Sequence, residues 1–183
     1  MSNTEKFSDT AAFKIASIVI LSAIVTIFTY AVRIPVAPTG GNLNFSDVAI
    51  FFTAFTFGPI PALIASAIGT SAANLISGYA QWAPFTFFIR GLEGFLIGVV
   101  YNIFMKENSR INNIFLQGFL CFLVGGTVMV MGYFIAGTFM VGPGAALLGI
   151  PGDVVQALVG VVGGMSLAVA IKKAYPPVIH FRW

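Results

Sequence analysis

Long apolar runs, separated by short breaks rich in Gly, Pro or polar residues, constrain this chain more than any other feature. Of its 183 residues, 58% are hydrophobic and only 8% are charged, whereas a soluble domain carries roughly 25% charged residues. Lipid offers no hydrogen-bond partner to exposed backbone, so such runs must form helices or a closed barrel. Because apolar and polar residues do not alternate along them, helices are favoured. The sequence predicts an all-α integral membrane protein.

The apolar runs predict a single-domain bundle of six transmembrane helices over residues 1–183. Their approximate bounds are 11–32, 45–57, 62–77, 84–105, 114–136 and 151–171. A span needs ~20 apolar residues, so the second and third are short and must be tilted or partly immersed. The sequence between them predicts a loop over Arg33–Asn44, a tight break over Gly58–Pro61 and a Gly-rich connection over Gly137–Ile150.

The distribution of basic residues predicts that both termini are cytoplasmic, because Lys and Arg are enriched in cytoplasmic loops. With the N-terminus inside, only Arg33 among the loop and terminal basic residues falls outside, while Arg90 lies within a span. The basic residues assigned to the cytoplasmic side are Lys6, Lys14, Lys106, Arg110, Lys172, Lys173 and Arg182.

Arg90 and Glu93 are ionisable residues inside the fourth apolar run. Their spacing of three places them on one helical face. Charges at membrane depth are costly and mark functional sites by default. Two interpretations stay open: a buried ion pair that is structural only, or a pair that contacts a ligand.

Polar side chains from separate stretches share the outer side of the predicted bundle, which indicates an outward-facing pocket. Aromatic rings there would stack on a flat compound, while amides and carboxylates would bind its donors and acceptors. Besides Arg90 and Glu93, the candidate substrate-binding residues are Asn42, Asn44, Asp47, Asn74, Tyr79, Gln81, Trp82, Asp153 and Gln156.

Several of these candidates have simpler interpretations. Asp47 would complement the dipole at the start of a helix. Asn74 would suit a hydrogen bond between helices. Tyr79 and Trp82 are typical of an interfacial aromatic belt.

Small residues line one face of the first predicted helix, beginning with Ala12 and Ala16. Small residues four apart allow two helices to approach closely in lipid. The face either packs inside this bundle or binds a partner subunit. Ser22 and Thr26 are an alternative docking pair on the same helix.

Sequence motifs for catalysis are missing. There is no Walker A, HExxH or GxSxG sequence, and Cys121 and His180 are single residues of their kinds. The sequence therefore predicts neither an enzyme nor a metal or cofactor site. Basic residues scattered at segment ends do not indicate nucleic-acid binding. Uptake against a gradient would need energy from a partner.

Six short segments together resemble the substrate-capture subunits, or S-components, of energy-coupling-factor (ECF) vitamin transporters. The resemblance covers about residues 12–173 and is closest to the riboflavin- and hydroxymethylpyrimidine-type branch. The segments are Arg33–Pro38, Gly40–Asp47, Phe57–Pro61, Gln81–Phe85, Arg90–Gly94 and Gly149–Gln156.

The resemblance implies a vitamin-binding subunit in the plasma membrane of a prokaryote. Its site lies near the outer face and is closed by the loop after the first helix. Small residues of that helix, here Ala12 and Ala16, dock onto a transmembrane coupling subunit (T-component) that joins two cytoplasmic ATPases. ATP is used only by those partners. A pyrimidine precursor of thiamine, a pyridoxine-like compound and riboflavin all suit the predicted pocket.

Two other functions compete with vitamin capture. A self-sufficient secondary transporter acting as a homo-oligomer would be expected to show internal repeats with matching broken helices, and no convincing repeat is present. A membrane-embedded enzyme or assembly factor is disfavoured by the missing nucleophiles and metal ligands.

Overall fold

The computed structural model of the chain describes residues 10–37, 39–104 and 113–183. Residues 1–9, with Lys6, lie outside the described residues. So do Pro38, Met105 at the predicted end of the fourth span, and residues 106–112, with Lys106 and Arg110.

The described chain is almost entirely helical, as predicted. Two short strands follow the first helix, and single 3-10 turns precede the fourth helix and follow the sixth. The elements are α1 (Ala11–Ala31), β1 (Arg33–Val36), β2 (Gly41–Asn44), α2 (Ser46–Phe57), α3 (Pro59–Ile76), a 3-10 turn (Ala80–Trp82), α4 (Ala83–Phe104), α5 (Ile114–Val141), α6 (Pro143–Ala174) and a 3-10 turn (Pro176–Phe181).

Five of the described helices are long and apolar enough to cross a membrane, whereas α2 is shorter. At about 1.5 Å per residue, the 12 residues of α2 extend roughly 18 Å, less than the ~30 Å hydrocarbon core. The prediction that the second segment is short is therefore confirmed. The same prediction for the third segment is wrong, because α3 has 18 residues and is long enough to cross a membrane.

Helix α2 lies at the centre of the bundle, in contact with α1, α3, α4 and α6. Its side chains Ile50, Phe51, Ala54 and Phe55 are at most 1% exposed. A helix enclosed on all sides is expected to be apolar around its whole circumference, which explains why its sequence shows no polar face. Asp47, in its first turn, is buried as well.

Glycines let neighbouring helices approach α4 and α6 closely. A Cβ added at Gly94 would lie 2.8 Å from the Ala62 carbonyl oxygen of α3, and one at Gly164 would lie 2.5 Å from Phe51 Cβ of α2. Side chains at either position would separate the helices. The glycines of the fourth predicted span therefore do face a tightly packed neighbour, as the sequence indicates.

The segment Arg33–Asn44 is an antiparallel hairpin, which corrects the prediction of a loop. Arg33 pairs with Asn44 and Val36 with Gly41, and the turn between them contains Gly40 at φ +62°. Pro35 is tolerated because a two-stranded sheet has free edges, where a missing N–H need not break a ladder bond. Proline here prevents helix, as predicted, but not strand.

Two helix starts also differ from prediction. Helix α3 begins at Pro59, so the break is confined to Gly58, whose φ of +101° suits glycine. Helix α5 runs on to Val141, and α6 begins at Pro143 after Gly142. Pro151 is therefore inside α6 and not at its first position. Proline suits a first turn, where its N–H is not needed, and Pro143 meets that condition.

The C-terminal segment of the chain caps the C-terminal end of α2. Lys172 Nζ and Arg182 Nη1 both donate to the Phe55 carbonyl oxygen, at 2.9 and 2.7 Å, and Trp183 N donates to the Phe57 carbonyl oxygen at 3.0 Å. Unpaired carbonyls at a helix end attract cations and donors. The carbonyl oxygens of Phe55 and Phe57, at the end of this short helix, thereby accept hydrogen bonds from within the protein. The rings of Phe13 and Phe181 are 4.8 Å apart, so the start of α1 lies at the same end of the bundle.

Candidate functional site

A polar cavity lies at the other end of the bundle, beneath the β1–β2 hairpin. The cavity is partly enclosed by the bundle and partly open to solvent. The lining residues are Thr29, Val36, Thr39, Gly41, Asn42, Leu43, Asn44, Ser46, Thr70, Asn74, Trp82, Thr86, Arg90, Tyr133, Gly137, Ala146, Gly149, Asp153 and Gln156.

Arg90 stands on the wall of this cavity and is shared by two buried carboxylates. Its Nη1 lies 2.9 Å from Asp47 Oδ1 and 2.9 Å from Glu93 Oε2. Asp47 comes from the first turn of α2, whereas Glu93 is one turn beyond Arg90 on α4. Burial without a partner would be very costly for any of these charges, so the three side chains form one unit that joins α2 to α4.

A chain of hydroxyl and amide groups extends from Arg90 along the wall. Arg90 Nε donates to Tyr133 Oη at 3.2 Å, and Tyr133 Oη donates to Thr86 Oγ1 at 3.2 Å. Thr86 Oγ1 also accepts from Asn74 Nδ2 at 2.9 Å. The chain connects α5, α4 and α3. Asn74 therefore makes the interhelical hydrogen bond that its simpler interpretation predicts, and it lines the cavity as well.

Gln156 ties the hairpin to the charged unit. Its Oε1 accepts from the Asn44 backbone N at 2.8 Å, while its Nε2 donates to Asp47 Oδ2. The Asn44 side chain accepts from Ser46 N at 2.9 Å and donates to Asn42 Oδ1 at 3.1 Å. These contacts hold the second strand of the hairpin against the start of α2 and the wall of α6.

Trp82 closes the other side of the cavity. Its Nε1 donates to the Gly40 carbonyl oxygen at the hairpin turn, at 3.1 Å. Its ring centroid is 6.0 Å from that of Tyr133, at an interplanar angle of 57°. The Arg90 guanidinium lies 5.1 Å from the Tyr133 centroid on a cation–π contact. Aromatic surface and polar groups thus meet in one wall.

The structure brings most of the predicted substrate-binding residues together but leaves some outside the cavity. Asp47 and Glu93 stand behind Arg90 and do not line it. Tyr79 and Gln81 are not among the lining residues. The predicted residues that do line it are Asn42, Asn44, Asn74, Trp82, Arg90, Asp153 and Gln156.

Sequence reasoning missed Tyr133 and Thr86, which complete the polar wall. Tyr133 is the one tyrosine of the long apolar run 114–136, and that isolation was the available signal. Thr86 gave no such signal, because threonine hydroxyls are common in membrane helices, where they hydrogen-bond to the backbone of their own helix. Thr29 and Thr70 of the same wall do bond in that way, to Val25 O and Ser66 O.

The predicted docking residues of α1 divide into two groups. Ala12 and Ala16 are exposed on the surface of the bundle. Ser22 is buried, and Thr26 Oγ1 donates to the Gly69 carbonyl oxygen of α3 at 3.0 Å. Ser22 and Thr26 thus pack against the inside of this bundle, whereas Ala12 and Ala16 are exposed.

Apolar helices of membrane length around a polar cavity define a multi-pass membrane protein with a candidate binding site at one end. In the parts of the chain that the structure describes, no group of three His, Cys, Asp or Glu side chains is placed to hold a metal ion.

The chain belongs to the S-component family of ECF-type riboflavin transporters, whose family model matches residues 10–173. It is 37% identical over 156 residues to an uncharacterised protein of Pyrococcus woesei, a match that covers 85% of this chain and 99% of that protein. It is 29% identical over 161 residues to the thiamine precursor transporter HmpT of Lactococcus lactis, covering 87% of this chain and 88% of HmpT. By its description, this family consists of transporter subunits.

Proposed function

We propose that this chain is the substrate-capture subunit of an ECF transporter in the plasma membrane of a prokaryote, and that it binds a vitamin or vitamin precursor from outside. The supporting observation is the polar cavity under the hairpin, at the end of the bundle opposite Phe13 and Phe181. A site of this kind at one end of an apolar bundle suits capture, and family membership supplies the class of cargo.

The proposed cargo is a flat polar ring compound. Trp82 and Tyr133 offer aromatic surface, and Asn42, Asn74 and Asp153 offer polar contacts along the same wall. The relative HmpT favours a thiamine precursor, while the family description favours riboflavin. Mass spectrometry of the compound that co-purifies with the protein tests the proposal: a vitamin-type heterocycle is expected, and a lipid alone would count against it.

The proposed partners are a transmembrane coupling subunit (T-component) and two cytoplasmic ATPases. The chain itself binds no cofactor in this scheme, and ATP is consumed only by the ATPases. Ala12 and Ala16 form the proposed docking surface, because both are exposed and small. Small residues permit the close helix approach on which association in lipid depends.

The proposed topology has six spans with both termini in the cytoplasm. In a Cys121→Ala background, single cysteines at Asn108, outside the described residues, and at Lys173 are expected to react only with a reagent applied from the cytoplasm. A cysteine at Thr39, beside the hairpin turn, is expected to react only from outside. The reason is the one-sided distribution of basic residues. External labelling at Asn108 would contradict the six-span arrangement.

The stacking role proposed for Trp82 predicts a change in fluorescence. Ligand binding is expected to quench the emission of Trp82, and Trp82→Ala is expected to weaken binding by about 1–3 kcal/mol, the range measured for aromatic stacking on bases. Trp183→Phe is the matched control, since it removes the chain's other tryptophan far from the cavity. Unchanged affinity in a folded Trp82→Ala protein would mean that Trp82 only holds the hairpin through its hydrogen bond and does not stack on the ligand.

A further inference from the structure

Asp153 differs from the other carboxylates of the site because it lacks a partner. It lies on α6 one turn before Gln156 and lines the cavity. Within residues 10–37, 39–104 and 113–183, no side chain or backbone group hydrogen-bonds to it or forms an ion pair with it. Asp153 is half-buried in a cavity that opens to solvent, so its carboxylate can accept a hydrogen bond from a molecule that enters.

The positive charge of the site is already committed. The Arg90 guanidinium forms ion pairs of 2.9 Å with both Asp47 and Glu93. One positively charged group therefore already faces two carboxylates, and Asp153 is a third carboxylate. Within the described chain no other Lys or Arg lines the cavity. An anionic ligand would add a further negative charge to a wall that already has an excess, which is strongly disfavoured at low dielectric.

Several donors on the wall are committed as well. Trp82 Nε1 is bonded to the Gly40 carbonyl, Asn74 Nδ2 to Thr86 and Gln156 Nε2 to Asp47. The Asp153 carboxylate in the cavity is a hydrogen-bond acceptor to which none of the described residues donates. A carboxylate that accepts an N–H from a bound molecule makes a charge-assisted hydrogen bond, the stronger kind.

We infer that Asp153 selects ligands that carry an N–H donor on a flat heterocycle, either an exocyclic amino group or a protonated ring nitrogen, and rejects acidic ones. This rests on the proposed function, in which the cavity takes a ring compound from outside. Asp153 binds the donor, Trp82 and Tyr133 supply aromatic surface, and the Arg90 unit keeps the wall in place. The chemistry is that of an aminopyrimidine and not that of a carboxylate or phosphate-bearing vitamin.

A matched pair of probes tests the inference on the purified full-length protein. The aminopyrimidine precursor of thiamine carries the donor, and its counterpart with hydrogen in place of the amino group carries none at that position. By calorimetry, the wild-type protein is expected to bind the amino probe on the order of 10- to 100-fold more tightly, the range for a hydrogen bond to a charged group. Asp153→Asn is expected to lower that preference, because the amide is uncharged and forms a weaker hydrogen bond with the amino group. Ser166→Ala, on the same helix with its hydroxyl bonded to Val162 O, is the control and should leave both affinities unchanged.

The outcomes separate the inference from the proposed function. Equal wild-type affinities for the two probes, or tighter binding of the probe without the amino group, would overturn the role of Asp153 but leave vitamin capture standing. An Asp153→Asn protein that melts normally and keeps the full preference would do the same. Failure of both probes and of riboflavin to bind a folded protein would contradict the proposed function and the inference with it. The wild-type comparison decides the question even if the variant does not fold.

Discussion

Replacing Ala12 and Ala16 together by Trp is expected to abolish uptake by the whole transporter while the isolated chain still binds its ligand. Both residues are exposed on α1, near the end of the bundle opposite the cavity. Two indoles would hold a partner helix several ångströms away and remove the close packing that joins helices in lipid. Uptake into vesicles that contain all the subunits, measured beside ligand binding to the purified chain, separates the two effects.

Ile27→Trp is the matched control for the docking variant. Ile27 is 60% exposed on the same helix, but it is already bulky and lies about 16–22 Å further along the axis than Ala16 and Ala12, at 1.5 Å per residue. It should transport normally. Normal uptake by the double variant would move the docking surface away from Ala12 and Ala16. Since Thr26 bonds to α3 and Ser22 is buried, another part of the surface would then have to serve.

Arg90→Met is expected to be the most destabilising single substitution in the cavity. It leaves Asp47 and Glu93, each at most 1% exposed at the side chain, without their shared cation. Removing one partner from a buried charge pair costs about 3–5 kcal/mol. The expected result is a large fall in melting temperature for the ligand-free protein in detergent, together with loss of ligand binding.

Glu93→Gln provides the matched control for Arg90→Met. The amide keeps the shape of the side chain and an oxygen that accepts from Arg90, while Asp47 still neutralises the guanidinium. A loss of less than about 1 kcal/mol is expected, within the ordinary range for a retained neutral hydrogen bond. Equal destabilisation by the two variants would contradict the shared-cation arrangement. A fall in ligand affinity larger than the fall in stability would support the predicted ligand contact of Glu93, which the buried position of its side chain does not favour.

Local sequence patterns were sufficient to predict most of the helices. The positions of α1, α2 and α4 follow from apolar runs bounded by Gly, Pro and polar residues. The prediction was wrong where a helix-breaking residue is compatible with more than one local structure. Pro151 resembles a helix start, yet α6 begins at Pro143 and continues through it, because neighbouring helices support a helix that has lost one backbone bond. Pro35 excludes helix, yet whether its segment pairs with Gly41–Asn44 depends on the turn between them.

The site was predicted in part for a similar reason. A charge or amide inside an apolar run is visible in the sequence, so Arg90, Asn74, Asp153 and Gln156 were identifiable as candidates. Their partners were not. Asp47 and Arg90 are 43 residues apart in the chain and 2.9 Å apart in space, and Tyr133 enters the wall from α5. Tyr79 and Gln81 have equally suitable side chains but lie outside the cavity lining.

The sequence by itself determined that this chain is a bundle of membrane helices with a few polar groups it cannot leave in lipid, because hydropathy and backbone breaks act over neighbouring residues. The tertiary structure decided which of those groups meet. It placed Asp47 and Glu93 against a single arginine, folded the hairpin against Trp82 and left Asp153 facing the cavity, where no other described residue hydrogen-bonds to it. Such juxtapositions depend on the close approach that Gly94 and Gly164 allow between helices, and packing of that kind joins residues that no local pattern relates.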